Sequence, residues 1–117
     1  MSRIRIKRME SELEKLFNTI LSFEIRNSDL DWVSITRISL SPDFKYAKVY
    51  FSSLSHDADT SKILKALNRT KGFFKNKIAQ AKMMRIIPEI TFLYDETEKK
   101  ASELDDIFAK IHEEKSE

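Results

Sequence analysis

Lys62-Ile63-Leu64-Lys65-Ala66-Leu67-Asn68-Arg69-Thr70-Lys71-Gly72-Phe73-Phe74-Lys75-Asn76-Lys77-Ile78-Ala79-Gln80-Ala81-Lys82-Met83-Met84-Arg85 holds eight basic residues, no acid and the only glycine of the 117-residue chain. Ile63, Leu64 and Leu67 mark one apolar helix face, and Phe73, Phe74, Ile78 and Ala81 resume helical spacing beyond the glycine. The stretch therefore reads as two helices joined at a kink. Gly72 suits such a kink in two ways: glycine admits positive φ and close approach of a backbone or phosphate, and it is the usual helix C-cap. Both hold together, because a cap followed by a new helix start also offers N–H groups to an anion. Lys71, Lys75 and Lys82 fall in one narrow sector of the wheel. Phe73, Phe74, Ala81 and Met84 fall in another, assigned to the core, and Lys77 lands irregularly inside that apolar sector.

Working outward, Asp57, Asp59 and Thr60 supply N-cap candidates for the first of these helices. Before them, Val33/Ile35 alternate with Ser34/Thr36 in a strand over 32–40, and Ala47/Val49/Phe51 alternate with Tyr46/Lys48/Tyr50 in a second over 45–53. Ser41-Pro42-Asp43-Phe44 places Pro and Asp at the centre of a type I turn between them. Met9, Leu13, Leu16, Phe17, Ile20 and Leu21 form one stripe of an amphipathic helix over about 3–26. After the basic stretch, residues 86–94 read as a third strand with Pro88 near its start, where a missing donor is tolerated. Ala101, Leu104, Ile107/Phe108 and Ile111 then repeat at helical spacing. A helical crossover between the second and third strands makes their pairing parallel, so the expected class is α+β, with a three-stranded mixed sheet covered by helices on one face.

Composition narrows the function. The length fits one domain, and the absence of Cys removes disulfides, thiol catalysis and Cys-based zinc sites. No uncharged stretch exceeds eight residues, which excludes a membrane span and a secretory h-region and makes the cytoplasm the expected compartment. His56 and His112 have no nucleophile placed beside them. No phosphate loop, dinucleotide fingerprint or nucleophile elbow is present, so no enzyme and no cofactor is expected. The net charge of +2 hides segregation: residues 1–8 carry +4, residues 62–85 carry +8, and residues 95–117 carry −5. Two acid-free basic segments point to a polyanion. A protein-interaction module docking an acidic partner is the competing reading, and a basic amphipathic helix on a membrane is disfavoured by Glu10, Glu12 and Glu14.

The basic N-terminal helix, Asp43-x-x-Tyr46-Ala47-Lys48-Val49-Tyr50, Leu67-x-x-x-x-Gly72-Phe73-Phe74 and Arg85-Ile86-Ile87-Pro88-Glu89-Ile90-Thr91-Phe92 followed by Tyr94-Asp95 together resemble the ribosome-binding factor A family over nearly the whole chain. The resemblance implies a type II KH-like fold (helix-strand-strand-helix-kink-helix-strand), with residues 1–95 as the RNA-binding domain and 96–117 as an acidic helix or tail. KH domains clamp single strands with a GxxG loop. This family resembles KH with an Ala-x-Gly kink, here Thr70-Lys71-Gly72, so the nucleotide clamp is not carried over. By resemblance the chain is a non-enzymatic factor, monomeric and without membrane attachment. It would bind the free small (30S) ribosomal subunit and support late maturation of its 16S RNA, including the 5′ end, with importance in the cold. Its implied partners are that subunit, its RNA and assembly GTPases. The candidate RNA-binding residues are Arg3, Arg5, Arg8, Arg69, Lys71, Gly72, Lys75, Lys82 and Arg85, which would hold phosphates and so recognise RNA mainly by shape.

Overall fold

From Arg3 to Phe23 the chain forms helix α1, whose buried residues Leu13, Phe17, Ile20 and Leu21 are the core of the stripe predicted above. The structure is a computed structural model describing residues 3–55 and 58–96. All but the first residue of the acidic helix or tail expected over 96–117, together with His56, His112 and the candidate cap Asp57, lies outside the described residues. α1 stops three residues short of the predicted end. The Glu24 and Ile25 N–H groups both donate to the Ile20 carbonyl, at 2.9 and 3.0 Å, and consume the acceptor of the last turn. Asn27 then caps a single 3₁₀ turn, Ser28–Leu30, by accepting from the Asp29 N–H at 3.0 Å.

Strands β1 (Val33–Leu40) and β2 (Tyr46–Ser53) pair antiparallel, and β3 (Glu89–Tyr94) pairs parallel to β2, giving the order β1-β2-β3. The mixed sheet is as expected, with one refinement. The register slips between Ile35 and Arg37, so the buried side of β1 runs Val33, Ile35, Ile38 and Leu40. A bulge at Thr36 inserts one residue and keeps both halves of the strand facing the core. The connecting turn forms as read: the Phe44 N–H donates to the Ser41 carbonyl at 2.9 Å across Pro42 and Asp43. β3 begins later than predicted, because Pro88 has no N–H to give; the first ladder bond runs from the Glu89 N–H to the Lys45 carbonyl at 2.8 Å.

Helices α2 (Thr60–Arg69) and α3 (Lys71–Ala81) form the crossover between β2 and β3. Asp59 is the cap, its carboxylate accepting from the Ser61 and Lys62 N–H groups. The buried side chains of all three helices and of one sheet face make a single core. Phe74 sits at its centre, 4.5 Å from the Phe17 ring and 5.7 Å from Phe92. On the exposed edge of β1, two α1 side chains replace a missing strand. Asn18 exchanges two hydrogen bonds with the Ile35 backbone (2.7 and 3.0 Å), and Glu10 accepts from the Leu40 N–H at 2.7 Å. Edge groups so occupied do not recruit another chain.

The kink differs from its sequence reading. Thr70 makes it, with φ −96° and ψ 2°. Its N–H and its hydroxyl both donate to the Leu67 carbonyl (3.0 and 2.8 Å), while its own carbonyl accepts from the Phe74 N–H at 3.1 Å. Gly72 is neither a C-cap nor at positive φ; it is the second residue of α3. Any L-residue reaches the Thr70 conformation, so the junction does not require glycine. The assignment of Phe73 and Ala81 to the core is likewise corrected: both are exposed, and α3 buries Phe74 and Ile78 instead.

Candidate nucleic-acid interface

The basic residues gather at two places separated by the length of α3, about 16 Å for its 11 residues. At one end, Arg3, Arg5 and Arg8 stand exposed on the first turns of α1. Arg5 and Arg85 line the same groove of about 370 Å³ together with one acid, Asp43, over an apolar floor of Met9, Phe44, Met83 and Met84. Sequence positions 80 apart are thus neighbours, because the segment after α3 returns past the start of α1, with Met83 and Met84 lining the groove beside Met9. Lys82 follows α3 immediately as its C-cap, exposed and left-handed at φ 54° and ψ 32°.

At the other end, Arg69 closes α2, and Lys71 and Gly72 open α3. No side chain caps the start of α3, and its first turn holds no acid. The positive end of the helix dipole therefore adds to the charges of Arg69 and Lys71 there. Gly72 is exposed, and a Cβ built on it meets nothing within 4 Å.

The single row of Lys71, Lys75 and Lys82 drawn from the helical wheel does not exist as a continuous stripe. Lys82 lies past the last turn. Lys75 Nζ holds Glu89 Oε1 at 2.9 Å, tying α3 to the start of β3. Lys77, the irregular cation of the apolar sector, pairs with Glu24 at 2.6 Å and lies 5.4 Å from the Phe73 ring centroid. It joins α3 to the end of α1, which explains how an apolar sector accommodates a lysine. Both lysines are engaged in interhelix or helix–strand pairs, whereas Arg69, Lys82 and Arg85 are exposed.

Sequence reasoning also passed over Arg37, whose guanidinium carbon lies 4.1 Å from the centroid of the Tyr50 ring on the face of the sheet turned away from the helices. The alternation of Tyr46, Lys48 and Tyr50 was the available signal, since it marks that face as aromatic and basic. Among titrating groups, Asp43 has its carboxyl held below the usual carboxylate range. The Ser41 hydroxyl donates to it at 2.7 Å and the Lys45 N–H at 3.1 Å, with the Lys45 charge nearby. Among the described residues no group of three or more His, Asp or Glu could hold a metal ion, and no helix is long and apolar enough to cross a membrane.

A helix–hairpin–helix–helix–strand order, closed into one three-stranded mixed sheet with a single-residue break between the last two helices, defines a KH-like α+β domain. The chain belongs to the ribosome-binding factor A family, whose sequence model matches residues 5–108. It is 38% identical over 91 residues to the ribosome-binding factor A of Francisella tularensis subsp. novicida, covering 78% of this chain and 63% of that relative's length. A solution structure from Thermotoga maritima, described as a candidate ribosome binding factor A, is 35% identical with a TM-score of 0.66, over 80% of this chain and 89% of that one. The same fold, at 20% identity and a TM-score of 0.64, occurs in a Thermus thermophilus ribosome binding factor A homology model fitted into a cryo-EM map of a 30S complex, over 76% and 93% of the two chains.

Proposed function

We propose that this chain is a non-catalytic assembly factor that binds the free small ribosomal subunit and assists late maturation of its 16S RNA, including the 5′ end. The observation that carries the reading is the family match over residues 5–108, which includes every residue of the two basic clusters except Arg3. The Thermus relative's description as part of a 30S complex supports the choice of partner. Residues 1–95 act as the RNA-binding unit and 96–117 as an acidic appendage. The protein works as a monomer in the cytoplasm, together with assembly GTPases, and is important at low temperature.

Mechanistically, the Arg3/Arg5/Arg8/Lys82/Arg85 cluster and the Arg69/Lys71/Gly72 cluster form two phosphate contacts on one rigid body. Two contacts a fixed distance apart favour one arrangement of a folded RNA over others, without reading bases. Lys75 contributes less, because Glu89 already compensates its charge.

Cosedimentation with separated ribosomal particles tests the reading. The wild type is expected with free small subunits, and a variant carrying Lys71→Glu, Lys82→Glu and Arg85→Glu is expected to remain in the supernatant. Those three side chains lie outside the core, so the variant should unfold at the wild-type denaturant midpoint. A wild type that ignores every ribosomal particle overturns the proposal. Binding that survives removal of the RNA shifts the reading to a protein partner.

A further inference from the structure

The face of the sheet turned away from the helices carries a pattern that the two basic clusters do not use. Along β2, Tyr46, Lys48 and Tyr50 occupy that face at alternate positions, about 6.6 Å apart. Arg37 stands opposite Tyr50 in register, and its guanidinium lies over that ring. Ser39 and Thr91, both small, flank Lys48 on the neighbouring strands. Tyr46 is 62% exposed. Its backbone is nonetheless fixed from both sides, because its N–H donates to Ser41 Oγ at 3.0 Å and its carbonyl accepts from the Ser41 N–H at 2.9 Å. Glu89, the register partner of Tyr46 on β3, has its charge compensated by Lys75 Nζ at 2.9 Å, and Asp95 beyond the end of β3 accepts the Thr36 hydroxyl at 2.5 Å.

One exposed ring and one ring-backed guanidinium on a rigid sheet, with a lysine between them, match the chemistry of unpaired nucleotides. A base stacks on an aromatic ring or on a guanidinium plane whatever its sequence, and an ammonium between two such platforms meets the linking phosphate. A duplex hides its base faces and gains nothing there. An apolar protein surface would leave Arg37 and Lys48 without counter-charges. We propose that this sheet face is a second RNA surface, taking a short unpaired segment. One base stacks on Tyr46, another on the outer plane of the Arg37 guanidinium backed by Tyr50, and Lys48 meets the phosphate between them. The choice of RNA as ligand rests on the function proposed above. The surface itself is separate from the helical clusters, and it adds single-strand preference to a shape-based recognition.

The test titrates the full chain with two fluorescent probes, a short oligoadenylate and a blunt-ended RNA hairpin, at two salt concentrations. Tyr46→Ala is expected to weaken oligoadenylate binding by about tenfold or more, at an unchanged salt slope, and to leave the hairpin within about twofold. Tyr46→Phe keeps the ring and should restore binding. Lys71→Glu should weaken the hairpin and flatten its salt slope, and leave oligoadenylate binding within about twofold. Oligoadenylate binding that Tyr46→Ala leaves unchanged, or a loss shared equally by both probes, overturns the stacking face. A wild type that cosediments with small subunits yet binds no oligoadenylate overturns it as well, with the proposed function left standing. Failure of both assays removes both.

Discussion

Gly72 shows how a residue's chemistry and its location carry different messages. As the only glycine of the chain it reads as the hinge, yet the hinge is Thr70, whose hydroxyl and N–H share one carbonyl of the preceding turn. Inside α3, glycine costs helix stability relative to alanine, and the space beside it is open. Gly72→Ala should therefore stabilise the fold by about 0.4–1 kcal/mol, read as a higher urea midpoint at constant m-value. If its subunit affinity also falls, the residue is retained for close backbone approach; a lower midpoint would contradict the helical placement. Asp43 makes a second prediction at this scale. Its folded pKa lies below its unfolded one, so its contribution is fully present above the unfolded carboxyl range near pH 4 and is lost as pH falls through the folded value. Asp43→Asn keeps an acceptor for Ser41 and Lys45 but does not titrate. Between pH 5 and pH 2 its unfolding midpoint should fall less than that of the wild type, and equal falls would rule out this source of acid sensitivity.

At the scale of elements, the hairpin edge is held by a helix rather than by another strand. Asn18 satisfies both backbone groups of Ile35 beside the Thr36 bulge, where the register changes. Removing the amide strands a half-buried donor and acceptor, so Asn18→Ala should cost about 1–3 kcal/mol. Hydrogen exchange supplies the specific check: the Ile35 amide should lose protection beyond the global change, while Val49 in β2 should follow the global change only. Uniform loss across the sheet would assign Asn18 to helix stability instead. The ion pairs Lys75–Glu89 and Lys77–Glu24 work at the same scale, each linking α3 to a different element.

For the whole molecule the decisive quantity is charge placement. A net charge of +2 predicts little affinity for RNA, whereas acid-free segments brought to two sites predict a strong salt response. If about four to six phosphates are neutralised, log K for small subunits should fall with log salt at a slope of about −3 to −5. Affinity unchanged over a fourfold salt range would overturn the electrostatic account of binding.

The amino-acid sequence by itself determined the element order, the faces of α1 and β2, the turn at Pro42-Asp43 and the α+β class, because periodicity and turn chemistry are local properties of the chain. Its residues also carried the family resemblance, through the basic N-terminal helix and motifs spread from Asp43 to Asp95. Tertiary structure alone decided which cations are exposed and which are paired. It drew Arg5 beside Arg85, turned Lys75 toward Glu89 and Lys77 toward Glu24, and placed Lys82 beyond the end of its helix. It also set Arg37 over Tyr50, a pairing that depends on cross-strand register. A helical wheel assumes an unbroken helix and no partners. Pair formation depends on distances between elements far apart in sequence, and only the packed core around Phe74 sets those distances.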